Sequence, residues 1–424
     1  MNDVALQVQD LGSFGRTITC DKDYYYRRLY AANHEGLVKV PNTKRFEDCD
    51  PETAFALEAM FYRPKAICRP DRLVKIVDLC CGSGGLALGV KAAVANLGYR
   101  AEVMYAADIS EDALAVYRKN IRPVFSERRN LETLLKYSYS DLHRSEAIPN
   151  AESIVLNDMI SDLKNSIDLF IAGPPCEGNS NANNVSRRID PRNELYLEAV
   201  AIGVGLKSQV IAIENTPTVP SGAQNVLKRS IKLLKSSGYA VSEYRLVLTA
   251  SDLGAAQNRN RHFLIANKAG IVFNKRSFEG LRQPPISVGQ LLTPLMTESS
   301  CELFDTIGEI SEQNMQRMKY LHENDVYNLP DELRPDCHRL KEHNYDAVYG
   351  RMYPDRPSPT LTTGFGSNGR GRFTHPYLPR GLTLREGAML QGFPFDYRWL
   401  QACPNKGRST FQTMIGDAVP SQMG

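Results

Sequence analysis

The chain is poor in tryptophan, with one residue in 424, and it has only nine cysteines. None of the cysteines form a C-x-x-C pair, which argues against a structural zinc site, and their odd number argues against a disulfide framework. Cys80 and Cys81 are adjacent, poor geometry for an ordinary bridge. A reduced, cytoplasmic protein is the expectation. No apolar run approaches the roughly 18 residues of a membrane span. Met1-Asn2-Asp3-Val4-Ala5 shows no basic segment leading into an apolar one, so no secretory signal is read there. An excess of charge of one sign is also missing. Lys and Arg total 51 against 48 Asp and Glu, a net charge of +3. That excludes a polycation but leaves room for a local basic groove.

What is present reads as alternating strands and helices. Leu73–Leu79 is a short apolar run rich in β-branched residues that ends in a Gly-rich turn, and a helix is expected over Leu86–Leu97. Val103–Ala107 reads as a second strand ending at Asp108, followed by a helix over Glu111–Asn120. Asp168–Gly173 and Val210–Asn215 read as buried strands, with a further pair in Gly238–Thr249 and His262–Asn267. This alternation implies a parallel sheet covered by helices on both faces. After Val272 the alternation stops, and 273–405 is rich in Pro, Gly and irregular segments. The expected organisation is an N-terminal extension at 1–72, an α/β domain at 73–272 completed by 406–424, and a second, smaller domain at 273–405. Within the extension, Thr53–Tyr62 reads as a short amphipathic helix. Tyr24, Tyr25, Tyr26, Arg27, Arg28 and Tyr30 suit stacking on nucleic-acid bases, although a surface helix that packs its tyrosines inward is the preferred reading.

Chemistry in such folds collects at the carboxyl ends of the strands, and Asp78, Asp108, Cys176 and Glu214 all fall there. Asp78-Leu79-Cys80-Cys81-Gly82-Ser83-Gly84-Gly85 joins a strand to a helix, its glycines allowing close approach to a ligand. Ala87 stands where a dinucleotide fingerprint has its third glycine, which tilts against NAD. An acid at Asp108 is placed to accept from ribose hydroxyls. In Gly173-Pro174-Pro175-Cys176-Glu177-Gly178-Asn179-Ser180, two prolines fix the backbone before a thiol. A thiolate is a strong nucleophile that needs only modest activation. Apolar surroundings would raise the Glu214 carboxyl and let it donate a proton near neutrality. Gln257, Arg259 and Arg261 alternate, so in an extended segment they share one face.

In order along the chain, these segments resemble the cytosine-carbon-5 DNA methyltransferase family. The resemblance also takes in Val348–Arg351, Pro357–Thr363, Gly371–Pro376, Leu384–Glu386, Leu390–Pro394 and Gly416–Val419, and it covers about residues 73–424. It implies a Rossmann-like class I methyltransferase sheet with a second, smaller irregular target-recognition domain, S-adenosylmethionine as cofactor and double-stranded DNA as partner, with no membrane and no metal. Carried over by position, Cys176 would add to a flipped cytosine, Glu214 would hold and protonate the base, Arg261 would contact its carbonyl oxygen and Arg259 would support the site. Cofactor contacts would come from Asp78, Leu79, Cys80, Gly82, Gly84 and Gly85, from Asp108 and Ile109, from Asp158 and Met159, and from Pro174, Asp417 and Ala418. Ser180, Arg187, Arg188, Arg192, Asn193 and Gln257 would face nucleic acid.

The chain departs from the family pattern at Cys80, usually an aromatic, at Glu177, usually Gln, at Asn179, usually Phe, and at Asp417, usually Asn. Members generally continue into a further helix after the last motif, whereas Val419 is followed here only by Pro420-Ser421-Gln422-Met423-Gly424. Either the sequence is cut short there, or the N-terminal segment, residues 1–72, or a partner chain takes that helix's place. Two other readings share these residues: a tRNA cytosine-5 methyltransferase, and a DNA-binding methyltransferase-like subunit that needs a partner for activity.

Overall fold

The computed structural model describes residues 15–31, 34–66, 72–136, 154, 156–175, 190–222, 224–297, 300–339 and 348–424. Its centre is an eight-stranded sheet. Five strands run parallel: β5 (Leu73–Leu79), β6 (Arg100–Asp108), β7 (Phe125–Arg128), β8 (Leu169–Ala172) and β9 (Val210–Asn215). Beyond β9 the sheet turns antiparallel, through β12 (Asn260–Asn267), which pairs with the short β10 (Ala240–Val241) and β11 (Val247–Thr249). The order β10-β12-β9-β8-β5-β6-β7 reverses direction between β5 and β8. That reversal opens a crevice at the carboxyl ends of these two strands, where open α/β sheets bind ligands.

Burial on both faces explains the apolar strands. Along β5, Ile76 enters one hydrophobic cluster with Leu86, Val90, Leu114 and Tyr117, whereas Val77 and Leu79 enter another with Leu197, Val200, Leu227 and Leu233. The first face is covered by α2 (Gly85–Asn96) and α3 (Glu111–Ile121), the second by helices Leu195–Gly205 and Val226–Ser236. After β12 the described residues contain no further strand, only helices, 3-10 turns and isolated bridges. None of these helices is long and apolar enough to cross a membrane.

The N-terminal residues differ from expectation. Tyr24–Ala31 is strand β2 of an antiparallel sheet, between β1 (Gly15–Cys20) and β3 (His34–Pro41), with β4 (Lys65–Ala66) at the edge. The reason is a period of two: Tyr25 and Leu29 are buried, Arg27 lies over the Phe55 ring at 4.4 Å, and Tyr24, Tyr26 and Arg28 alternate with them. Helix α1 spans Pro51–Phe61, with Asp50 capping the amides of Glu52 and Thr53. It is not amphipathic. Thr53, Ala54, Phe55, Leu57, Glu58, Met60 and Phe61 are all buried, so most of its circumference faces protein. Glu58 is accommodated by accepting from both the amide and the hydroxyl of Thr43.

A third hydrophobic cluster joins this N-terminal unit to residues 286–415, and it includes Ala113 and Val116 of α3. Trp399 lies within it against Phe393 at 4.9 Å and Phe304 at 5.8 Å. Strand β3 approaches α2 so closely that a Cβ on Gly36 would overlap the Asn96 carbonyl. We expect Gly36→Val to force the two elements apart, at about 2–3 kcal/mol. A fall of several degrees in melting temperature is the readout, and unchanged melting would show that the contact is not held in solution.

Candidate active site

The turn after β5 is held from three sides. Gly82 N donates to Asp108 Oδ2 at 2.8 Å, and Asp108 Oδ1 accepts from Ser110 N at 2.8 Å. Tyr397 donates to the Ser83 carbonyl at 2.6 Å, and Tyr117 donates to Asp78 Oδ2 at 2.8 Å. Cys80 and Gly82 adopt positive φ of 50° and 51°, a region that disfavours side chains. A Cβ on Gly82 would meet open space. Gly82 is therefore needed for its backbone and faces the crevice, whereas Gly85 makes room for the Val419 carbonyl.

Charge is concentrated around this turn. Burial lifts the carboxyls of Asp78, Asp108 and Asp417 above the usual range, and the Asp108 charge adds to the rise at both Asp78 and Asp417. Asp78, fully buried, is pushed up to about 8. Cys80 and Cys81 are raised chiefly by burial and then by the neighbouring carboxylates, so neither is a nucleophile. Ile109, next to Asp108, is 67% exposed, a bulky apolar side chain left open at a strand end. The Asp108 charge thus acts on both Asp78 and Asp417, and Ile109 leaves an apolar surface open beside it.

The end of β9 carries the second half of the crevice. Glu214 is buried, and Arg261 Nε lies 2.8 Å from its Oε1, in contact but poorly aligned as a hydrogen bond. Burial raises the Glu214 carboxyl above its usual range, with the charges of Arg261 and Arg259 opposing that rise. Arg259 is itself buried and donates to the carbonyls of Leu361 at 2.8 Å and Gly416 at 3.1 Å. Asn215 donates to the Pro174 carbonyl at 3.0 Å. A Cβ on Gly173 would lie 3.6 Å from Glu214 Oε2 and 3.8 Å from the Cys80 carbonyl. The two strand-end turns and the buried carboxylate therefore meet at one point, with Pro174-Pro175 leading out of it toward Cys176.

A family model for C-5 cytosine-specific DNA methylases matches residues 74–424 of this chain. The chain belongs to that family. It is 38% identical over 354 residues to the type II methyltransferase M1.BsuMI of Bacillus subtilis, covering 82% of this chain and 78% of that one. It is 27% identical to the type II methylase M.HgiDII of Herpetosiphon aurantiacus, covering 82% of this chain and 92% of that one. Among solved structures, a putative prophage DNA modification methyltransferase from E. coli aligns with a TM-score of 0.48 at 20% identity, over 81% of this chain and 97% of that one.

In this methylase, several residues expected at the site occupy different settings. Gln257 is not on a nucleic-acid surface. It is fully buried, donating to Gln391 Oε1 at 2.6 Å and accepting from Leu361 N at 3.0 Å, so its amide is spent inside the protein. Asn193 is likewise buried, donating to Gln224 at 2.6 Å. Arg192 forms a forked pair with Asp190 at 3.0 and 2.8 Å. Asp158 starts a short helix, with its exposed carboxylate 2.8 Å from Lys136. Leu79 is buried, its carbonyl accepting from Gly173 N at 3.3 Å, Gly84 adopts a φ of 95°, and Ala418 accepts from Gln391 through its carbonyl. Cys176, Ser180, Arg187, Arg188 and the Met159 side chain lie outside the described residues. Tyr117, Tyr397 and Asn215 were not singled out from the sequence, yet they hold the turns in place. Among the described residues no cluster of His, Cys, Asp or Glu is disposed to hold a metal ion.

The Asp78 carboxyl yields a test of this electrostatic picture. Its value of about 8 exceeds the ordinary 3.8, so the folded protein keeps a proton that the unfolded chain releases. Its contribution to stability is full below the unfolded value and is lost as pH rises toward the folded one. Asp78→Asn is expected to flatten the fall in melting temperature from about pH 5 to about pH 8 in scanning calorimetry. An unchanged slope would assign that fall to other groups.

Proposed function

We propose that this methylase transfers a methyl group from S-adenosylmethionine to carbon 5 of a cytosine extruded from duplex DNA, with Cys176 as nucleophile and Glu214 as proton donor. The observation that carries this reading is the buried Glu214–Arg261 pair beside Gly173-Pro174-Pro175, the turn that delivers Cys176. When bound, S-adenosylmethionine supplies an electrophilic methyl group. Its cationic end suits the turn carrying Asp78, Leu79, Cys80, Gly82, Gly84 and Gly85, where a nearby cation would favour release of the proton that burial keeps on Asp78. In this reading Asp108 would accept from the ribose and the exposed Ile109 would meet the adenine, with Asp158, Met159, Pro174, Asp417 and Ala418 as further cofactor contacts.

Carbon 5 of cytosine is too weak a nucleophile to take the methyl unaided. Attack of the Cys176 thiolate on carbon 6, with a proton from Glu214 to ring nitrogen 3, moves an electron pair onto carbon 5. After methyl transfer, a base removes the carbon 5 proton, and the freed electron pair re-forms the carbon 5–carbon 6 double bond as the carbon–sulfur bond breaks. Cys176 leaves as thiolate, and ring nitrogen 3 returns its proton to Glu214. Arg261 holds Glu214 and the base carbonyl oxygen, and Arg259 fixes the strand from beneath. Extruding the base costs a few kcal/mol, which contacts in the pocket offset. Residues 273–405 would carry the target-recognition region, and Arg187 and Arg188 would meet phosphates.

The test is transfer of labelled methyl groups to mixed-sequence duplex DNA and, separately, to tRNA. Label in duplex DNA is expected to vanish in Cys176→Ala and to fall by roughly 10²–10⁴ in Glu214→Gln. Because burial raises the Glu214 carboxyl, the wild-type rate is expected to fall as pH rises above that raised value, and Glu214→Gln is expected to lose this limb. Label confined to tRNA would reassign the substrate. Cofactor binding without label in either would favour a subunit that needs a partner.

A further inference from the structure

Beside the base pocket lies a group of cations that the reaction above does not use. Tyr327 and Tyr353 stack at 4.4 Å. Arg351 lies over Tyr327, but it is buried and neutralised by Asp325 at 2.9 Å. Arg356 and Arg372 both lie over the single ring of Tyr353, at 4.5 and 4.9 Å. Arg372 is partly buried, and its hydrogen bonds go to the carbonyls of Tyr327 and Arg351 and to Asn328 Oδ1, at 2.6, 3.1 and 2.5 Å. All three acceptors are neutral. Arg356 is mostly exposed, and the nearest carboxylate oxygen, on Asp355, is 3.9 Å away.

Each guanidinium gains from the ring face, and burial disfavours the Arg372 charge, which among the described residues has only neutral hydrogen-bond acceptors. An anion bound in the groove that both line offsets that desolvation. Guanidinium groups match phosphate oxygens in a forked geometry. The groove they line with Tyr353 also includes Asn258 and Ser358. It adjoins the catalytic strand through a tight main-chain ladder: Asn258 N donates to the Ser358 carbonyl at 2.7 Å, and Ser358 N to Ala256 at 2.8 Å. The next residue, Arg259, ties the strand to Gly416, and Arg261 pairs with Glu214. An anion in this groove therefore lies against the segment that leads into Arg259 and Arg261.

We propose that the Tyr353–Arg356–Arg372 groove holds a backbone phosphate of the duplex, adjacent to the extruded cytosine. This rests on the DNA methyltransferase reading above. The phosphate fixes the register of the DNA over the pocket and carries no sequence information.

The experiment measures binding of the full chain to a fluorescent mixed-sequence duplex between about 50 and about 200 mM KCl, the range over which phosphate contacts dominate salt dependence. It compares wild type, Arg356→Gln, Arg356→Lys and Arg372→Gln, with melting temperatures confirming that each is folded. Loss of one phosphate contact lowers the log–log salt slope by about 0.9, so across this fourfold range wild type is expected to lose roughly 3- to 4-fold more affinity than Arg356→Gln. Arg356→Lys is expected to keep the wild-type slope, because it keeps the charge. A wild-type slope in both Arg356→Gln and Arg372→Gln, with duplex methylation by wild type intact, overturns the phosphate site alone. Failure of the wild type to bind or methylate duplex DNA overturns the functional reading and this site together.

Discussion

A carboxylate at the dry carboxyl end of a central strand is costly unless cations reach it, and the rest of the site is arranged around that cost at Glu214. One cation, Arg261, touches it directly, and the other, Arg259, acts from greater depth. Arg259 is itself buried and must find acceptors, which it takes from the main chain at Leu361 and Gly416. Residues distant in sequence are thereby drawn onto the catalytic strand by the need to satisfy one guanidinium. Gln257, two residues earlier, repeats the device with neutral groups, joining Leu361 and Gln391. The segment Gln257–Arg261 thus serves cohesion through Gln257 and Arg259 and would serve the proposed chemistry through Arg261.

The opposite side of the crevice has the inverse problem. Burial raises Asp78, Asp108 and Asp417, so that Asp78 keeps a proton near neutrality, and the one cation among the causes is Arg259, at Asp417. Main-chain amides of Gly82 and Ser110 donate to Asp108 and the phenol of Tyr117 donates to Asp78. Two guanidinium groups act on the Glu214 half of the crevice, whereas hydrogen bonds alone act on Asp108. In the proposed reaction a cationic co-substrate would complete the Asp108 half, and the Glu214 half would hold a neutral base and pass it a proton.

Legibility in the sequence followed the kind of physics each residue obeys. Asp78, Asp108 and Glu214 were readable because an acid directly after an apolar run marks a strand end, and the sheet places such ends together. Gly82 and Gly84 were readable because positive φ selects glycine. Gln257 and Asn193 were not, since an amide side chain satisfies itself equally well in solvent or in a buried network, and its type does not tell which. Tyr24–Tyr30 was misjudged because a period of two is masked when tyrosine and arginine occupy both faces. Tyr117 and Tyr397 bond partners 39 and 314 positions away, and no local pattern announces such contacts.

Helix α2 links these local facts to the whole. Its first turn carries Gly85 against the Val419 carbonyl, its middle carries Gly89 against the Ser421 carbonyl, and its last turn meets Gly36 of β3 at the Asn96 carbonyl. All three are contacts at which a side chain would collide with main chain, so none can be adjusted by a rotamer change. The helix is consequently fixed along its length by residues from the N-terminal sheet and from the last motif. Its fixed axis sets where the Cys80–Gly84 turn stands relative to β8 and β9. Through α2 the N-terminal unit constrains the geometry of the turn that faces the crevice, and its packing against Phe395 and Gln422 by way of Met60 and Phe61 closes the same frame from the other side.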